Sequence, residues 1–264
     1  KSGAYRLIIT EGECFKPSTE VLTPLGWKSF EALSKEDLVA QVWPDGKADF
    51  VSPLAYVDKQ WEGELTEYRS GSYNISTTTN HNMVRLDKAG KMFKVKASDK
   101  KKQHLDVPRV FDLVDNNTTL SLLEAKVWIM LSADFTFRKE GDIYGGLKKP
   151  RKIERAKKLL NEIGVRYSAN PVEGGYVSFF IHRGHGLKAE KLLPKELPYH
   201  PNKREILEEV IFWDGNKVKG RNQSEWSSVL KENVDVVQTL AHSCGMVSTI
   251  MSRTNQHGSW YKVS

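Results

Sequence analysis

The sequence predicts a multidomain chain, all-β through residue 107 and α+β from residue 108 to 264, and three observations predict it. The chain has 264 residues, enough for about two domains at roughly 150 residues each. Residues 14–107 run as short alternating segments broken by turn residues, whereas longer apolar and amphipathic helical stretches follow them. The order helix, strand, helix, strand then occurs twice, with Asp134 and Asp214 standing 80 positions apart at corresponding places. That spacing predicts a divergent internal duplication, hence two pseudo-repeats.

The elements follow in chain order. Tyr5 to Thr10, YRLIIT, reads as a strand closed by Glu11, Gly12 and Glu13. The β region consists of TEVLTPLGWKSF, VAQVWPDGKADFVSPLAYV, GELTEYRSGSYNISTTTNHNMVRL and KMFKVKAS, punctuated by Pro24, Gly26, Gly63, Gly71 and Gly90. Asp45-Gly46 predicts a two-residue hairpin turn. A basic polar stretch, SDKKKQHLDVPR, closes the region. Leu120 to Ala133 is then an apolar helix with Thr118 or Thr119 as N-cap, and Pro150 to Ile163 is an amphipathic basic helix stopped by Gly164. IYGGLKK and GYVSFFIHR are strand-like. After Pro201 come the helix REILEEVIFW, the strand EWSSVL, the helix KENVDVVQTLAHSCG, and the segments VSTIMSR and SWYKVS.

Composition excludes several classes. With 39% hydrophobic and 28% charged residues the chain can bury cores, so disorder is not its main state. No apolar run approaches the ~20 residues of a bilayer span, and the N-terminus lacks a signal peptide's apolar core, so the expectation is a cytoplasmic protein with no membrane partner. Cys14 and Cys244 lie 230 positions apart without CxxC spacing, which indicates neither a disulfide framework nor a zinc site. Forty Lys and Arg against 33 Asp and Glu leave a charge of +7, which favours a polyanionic partner.

Two blocks carry the first chemistry: Cys14 with the turn Thr23-Pro24-Leu25-Gly26-Trp27, and Thr78-Thr79-Asn80-His81. Together they resemble the start of an intein, the self-excising element of the Hint fold, over residues 14–107. The resemblance implies an all-β Hint splicing domain, here its N-terminal part, with catalytic residues Cys14, Thr78 and His81. Cleaving a backbone amide without a protease needs a nucleophile beside the scissile bond, and the Cys14 thiol can attack the Glu13 carbonyl to give a thioester. His81 is the proton donor to the leaving nitrogen, because imidazole titrates near neutrality. Thr78 would orient the peptide or stabilise the oxyanion. Splicing needs no cofactor.

Residues 1–13 would then be host protein. Leu7-Ile8-Ile9-Thr10-Glu11-Gly12-Glu13 resembles the Glu-Gly-Glu strand of Toprim domains in phage-type primase-helicases, which implies a phage- or bacterium-encoded element.

Two acids carry the second chemistry. Asp134 ends the helix LLEAKVWIMLSAD and Asp214 ends REILEEVIFWD. A carboxylate at a helix C-terminus opposes the macrodipole, costing up to ~1 kcal/mol, so a fold gains nothing by placing one there twice. The pattern resembles the LAGLIDADG homing endonucleases over residues 108–264, although Phe135 follows the first acid where the family has Gly. The resemblance implies an α+β endonuclease domain in which Asp134 and Asp214 hold Mg²⁺ for phosphodiester hydrolysis of double-stranded DNA at the host gene's insertion site. Lys148, Lys149, Arg151, Lys152 and Arg155, with Lys217, Lys219 and Arg221, would neutralise phosphates, and Arg183 would reach base edges.

An intein closes with a C-terminal block ending in Asn before a host Cys, Ser or Thr, and no such ending stands at Trp260 to Ser264. The expectation is an incomplete Hint domain whose partner is a C-terminal intein fragment. Two alternatives stand beside it: a splicing fragment whose endonuclease has decayed to DNA binding only, and a fragment of a host primase-helicase.

Overall fold

The computed structural model describes residues 14–58, 60–70, 73–99, 106–113, 118–255 and 258–264. The expected host strand and Glu13 lie outside the described residues. The chain divides into two compact units: the described part of Lys1–Val114 with Ala241–Ile250, and Asp115–Leu240 with Met251–Ser264. The division falls beyond the expected 107/108 boundary because residues 111 and 112 still bond to the first unit. Asp112 N donates to Gly46 O at 2.7 Å, Ala48 N to Asp112 O at 2.8 Å, and Phe111 N to His242 O at 3.3 Å.

Among the described residues, the first unit has four antiparallel hairpins. They pair β1 (Glu20–Thr23) with β2 (Gly26–Ser29), β3 (Val39–Val42) with β4 (Ala48–Val51), β5 (Leu65–Ser70) with β6 (Tyr73–Thr78), and β7 (Asn82–Leu86) with β8 (Met92–Lys96). A lone hairpin is marginal in water, so each depends on what joins it to the others. Met83 and Ala97 are buried at one junction beneath Tyr68, Tyr73, Ile75, Val95 and Val107, and the Tyr68 hydroxyl donates to Ala97 O at 2.6 Å. The β3–β4 turn differs from the expected two-residue form. Trp43 N donates to Lys47 O and Gly46 N to Trp43 O, so Pro44, Asp45 and Gly46 close a three-residue loop. Pro44 fixes its first residue and Gly46, at φ 84°, supplies the left-handed one.

The second unit shows the duplication at the level of topology. The first copy is α1 (Leu122–Asp134), β9 (Phe135–Phe137), β10 (Ile143–Leu147), α2 (Pro150–Glu162), β11 (Tyr167–Val172) and β12 (Tyr176–Ile181). The second is α3 (Lys203–Asp214), β13 (Gly215–Lys217), β14 (Ser224–Ser228), α4 (Lys231–Ser243), β15 (Ile250–Asn255) and β16 (Gly258–Val263), of which the last turn of α4 from Ala241 and Ile250 count with the first unit. Their sheets run β11-β12-β10-β9 and β15-β16-β14-β13, the same order element for element. Strands β9, β11 and β13 have no counterpart in the sequence expectation. β9 and β13 are too short to show alternation, and β11 contains Pro171, tolerated because β11 is an edge strand.

Helix α1 buries Ala125, Val127, Ile129, Met130 and Leu131, and it packs along α3. Its N-cap is Ser121 rather than Thr118 or Thr119. Glu124 N donates to Ser121 Oγ at 3.2 Å and Ser121 N to Glu124 Oε2 at 2.8 Å, a reciprocal box worth about 1 kcal/mol. Thr118 instead donates to Glu196 Oε2 at 2.5 Å.

The residues after the two acids take nearly the same backbone: Phe135 at φ −115°, ψ 158° and Gly215 at φ −85°, ψ 159°. Neither needs a positive φ, so the backbone at this turn tolerates Phe. Its ring is fully buried against Phe179, 5.9 Å between centroids, and occupies the space that Gly145 leaves across the β9–β10 pair. A methyl at residue 145 would stand 2.8 Å from Phe135 Cδ1 and 2.9 Å from Asp134 O. Gly145→Ala is therefore expected to destabilise by about 1–3 kcal/mol in urea unfolding. Adding Phe135→Leu should restore part of that loss, because one of the two clashes is with a side chain.

Candidate functional site

In the first unit a buried row of hydroxyls at the end of β6, Ser76, Thr77 and Thr78, receives the chain at Cys14. Phe15 bridges Thr77, and Lys16 N donates to Ser76 O at 3.0 Å. Cys14 N donates to Thr78 Oγ1 at 3.1 Å while Thr78 N donates to Cys14 O at 2.9 Å. Thr78 thus fixes residue 14 by both its backbone groups, across 64 positions of sequence. His81 N donates to Thr78 O at 3.1 Å, and its imidazole is buried edge-on to Phe15 with centroids 4.3 Å apart. Phe15 in turn stacks on Phe30 at 5.5 Å. Cys14 itself is a half-buried free thiol. The structure brings Cys14, Thr78 and His81 into one cluster.

In the second unit Asp134 and Asp214 converge because α1 and α3 pack together and each ends at its acid. Lys152, expected to neutralise a DNA phosphate, instead lies between them. Its Nζ is 2.5 Å from Asp134 Oδ2 and 3.5 Å from Asp214 Oδ1. Helical geometry explains the difference: Lys152, Ala156, Leu159 and Leu160 fall at i, i+4, i+7 and i+8, which is the buried stripe of α2. Arg155, at the edge of that stripe, is drawn into a bidentate pair with buried Glu209, whose Oε1 also accepts Trp213 Nε1 at 2.7 Å. Arg151 covers Phe212 at 4.5 Å and donates to Phe212 O at 2.7 Å. Lys148, Lys149, Arg183, Lys217, Lys219 and Arg221 are exposed.

Partial desolvation raises the Asp214 carboxyl from its ordinary value although the side chain is 36% exposed, and the Asp134 charge pushes it the same way, while Lys152 and Lys191 oppose both. Lys191 was not visible as a site residue in the sequence, since nothing in LKAEKLLPKEL distinguishes it. Its loop is irregular but tightly held. Trp128 Nε1 donates to Glu190 O and Leu192 O, Asn233 Nδ2 donates to Lys191 O, and Asn233 Oδ1 accepts Leu193 N. The Lys191 ammonium bonds Ser132 O at 2.8 Å, and burial lowers its pKa against the pull of the two acids.

No group of three or more His, Cys, Asp or Glu side chains is assembled among the described residues. Two convergent carboxylates still fit a Mg²⁺ ion, which commonly takes one or two carboxylates and fills its remaining positions with water and phosphate oxygen. The cation already seated between these two marks the position as one that attracts positive charge.

No family model matches the chain. The chain is 28% identical over 298 aligned positions to a ribonucleoside-diphosphate reductase subunit beta of Aquifex aeolicus (strain VF5), covering 91% of this chain. It spans 41% of that relative's length, less than half. Among solved structures, I-DmoI in complex with DNA and Mn aligns with a TM-score of 0.40 at 15% identity, covering 54% of this chain and 89% of that one. Full-length DUF199/WhiA from Thermatoga maritima aligns with a TM-score of 0.40 at 13% identity, covering 56% of this chain and 53% of that one. Likeness of this degree carries no information on ligand or activity.

The raised Asp214 carboxyl has a measurable consequence. A carboxyl whose folded pKa lies above its unfolded value of 3.8 favours the fold below 3.8 and loses that contribution as pH rises through the folded value. Asp214→Asn removes the strained charge, so the variant should be more thermostable than the parent at pH 7 and the gap should narrow as pH falls toward 4. A variant less stable at pH 7 would mean that the bond to Lys152 outweighs desolvation.

Proposed function

We propose that the second unit is a LAGLIDADG-type homing endonuclease cutting double-stranded DNA, and that the first is the N-terminal part of an intein whose thioester forms at Cys14. The convergence of Asp134 and Asp214 at the ends of two packed helices carries the endonuclease reading. Evolution pays a dipole penalty twice there, and the geometry has a use only if something positive binds between the acids. Bound Mg²⁺ would activate water and stabilise the leaving oxygen. The chain's own groups set the stage. Asp134 and Asp214 hold negative charge at the site, Lys191 points an anchored ammonium toward it, and Lys148, Lys149, Lys217, Lys219 and Arg221 offer phosphate contacts.

The splicing reading is supported by the Thr78 clamp. The amide nitrogen of Cys14 belongs to the bond that splicing must break, and Thr78 holds that nitrogen and the following carbonyl in place. Thr78 therefore acts as the orienting residue, the Cys14 thiol attacks the Glu13 carbonyl, and His81 delivers the proton that lets the nitrogen leave. Transfer to a second nucleophile and Asn cyclisation would come from a C-terminal intein segment followed by a host Cys, Ser or Thr. An element inserted into unrelated hosts would also produce a match to less than half of a differently named enzyme.

A second reading keeps DNA binding without cutting. The lysine between the acids favours it, because a permanent internal cation would replace the metal.

Incubating the protein with Mg²⁺ and a plasmid carrying the uninterrupted host gene tests the endonuclease. Cutting near the insertion site is expected, lost in Asp134→Asn and Asp214→Asn while salt-sensitive DNA binding persists. Binding without cutting would decide for the second reading. For splicing, excess thiol added to the protein with a C-terminal intein fragment should release residues 1–13. His81→Ala should slow release by ~10²- to 10⁴-fold. Release from Cys14→Ala would overturn the assignment.

A further inference from the structure

Lys152 is the basic group whose ammonium bonds both acids. Its side chain is 10% exposed, with Nζ 2.5 Å from one carboxylate, 3.5 Å from the other and 5.5 Å from the centre of the Trp213 ring. Those are contacts to two separate helices from a third, the arrangement a bound cation would have. Of the neighbouring cations, Arg155 bonds Glu209 and Arg151 bonds Phe212 O, while Lys191 bonds Ser132 O and reaches the acids only through space. A buried charge at this helix position is not required by the fold. In the second copy the third residue of α4 is the neutral Asn233, which holds the Lys191 loop instead.

Charge counting sets the consequence. Lys152 and a divalent ion together would bring three positive charges to two carboxylates, leaving an excess at a partly desolvated site. A phosphodiester removes that excess and also gives the ammonium a second anion to bond. We propose that Lys152 is an internal counter-ion that holds the two-acid site closed to divalent cations until a DNA phosphate draws its ammonium away, so that metal loading depends on DNA; this rests on the endonuclease reading of the two acids. The device keeps the free protein from carrying a loaded hydrolytic centre. It also offsets the mutual repulsion of the acids while the site waits.

Mn²⁺ titration followed by the electron paramagnetic resonance of free Mn²⁺ tests the proposal on the full chain. Wild type, Lys152→Met, Lys152→Gln and Lys152→Met with Asp134→Asn are compared with and without mixed-sequence duplex DNA. Without DNA, the two single variants should bind Mn²⁺ on the order of tenfold or more tightly than wild type, as removal of a neighbouring opposite charge predicts. The double variant should lose that gain, and wild type should acquire comparable affinity when duplex is added. Thermal unfolding provides a second readout: Mn²⁺ should raise the transition of the single variants more than that of wild type. Equal Mn²⁺ affinity in wild type and the single variants, sensitive to Asp134→Asn, would overturn the latch and leave the metal site standing. No Mn²⁺ binding by any variant, with or without DNA, would overturn both. Should the variants fail to fold, wild type decides alone, since Mn²⁺ binding as tight without duplex as with it contradicts the latch.

Discussion

Two carboxylates brought together at the ends of two packed helices repel each other, and the second unit is organised around meeting that repulsion. Each acid stands at the negative end of its own helix, and partial desolvation and the Asp134 charge raise the Asp214 carboxyl from its ordinary value. The fold answers with cations placed from different directions. Lys152 comes from the first turn of α2, and Lys191 from a loop whose carbonyls are caught by Trp128 and Asn233. Even the nearby Arg155–Glu209 pair fits this logic, because it fixes the α2–α3 junction from which Lys152 and Asp214 both project. The acids keep 25% and 36% of their side-chain surface, so the cations answer a partial desolvation and the repulsion between the two charges.

The duplication is symmetric in its backbone and asymmetric in its chemistry. The two sheets share one strand order, and both acids are followed by the same extended backbone. The side chains diverge where the copies need different things. Gly215 is forced by the close approach of Ile211, since a Cβ there would lie 2.6 Å from the Ile211 backbone. Phe135 is possible because the small residue has moved across the ladder to Gly145. The same kind of exchange separates Lys152 from Asn233: one position supplies a charge to the acids, and its counterpart supplies hydrogen bonds to a loop.

The first unit uses a different economy. Its hairpins are too small to stand alone, and long-range contacts at a few points hold them. One of these points is Thr78, whose hydroxyl and amide clamp residue 14, and the neighbouring Phe15 ring joins His81 to Phe30. The segment proposed to react is thus also a segment on which the packing depends. Orientation of a scissile amide by a rigid frame is a large share of what such a site must provide.

The sequence by itself determined the class of each region, the two-copy order of the second, and the pairing of Asp134 with Asp214, because hydrophobic period and helix-end chemistry are local properties. It also pointed to Cys14, Thr78 and His81, through a resemblance to the opening blocks of an intein. Only the tertiary structure decided which residues of a charge run face solvent. Lys152 and Arg155 read as members of a basic surface, yet the helical stripe turns one into the acid pair and the other toward Glu209. The same holds for Lys191, Trp128 and Asn233, which are spread over more than 100 positions and meet only when α1, α4 and one loop are packed. Burial and the distance between remote charges arise from packing, and no local window of sequence contains them.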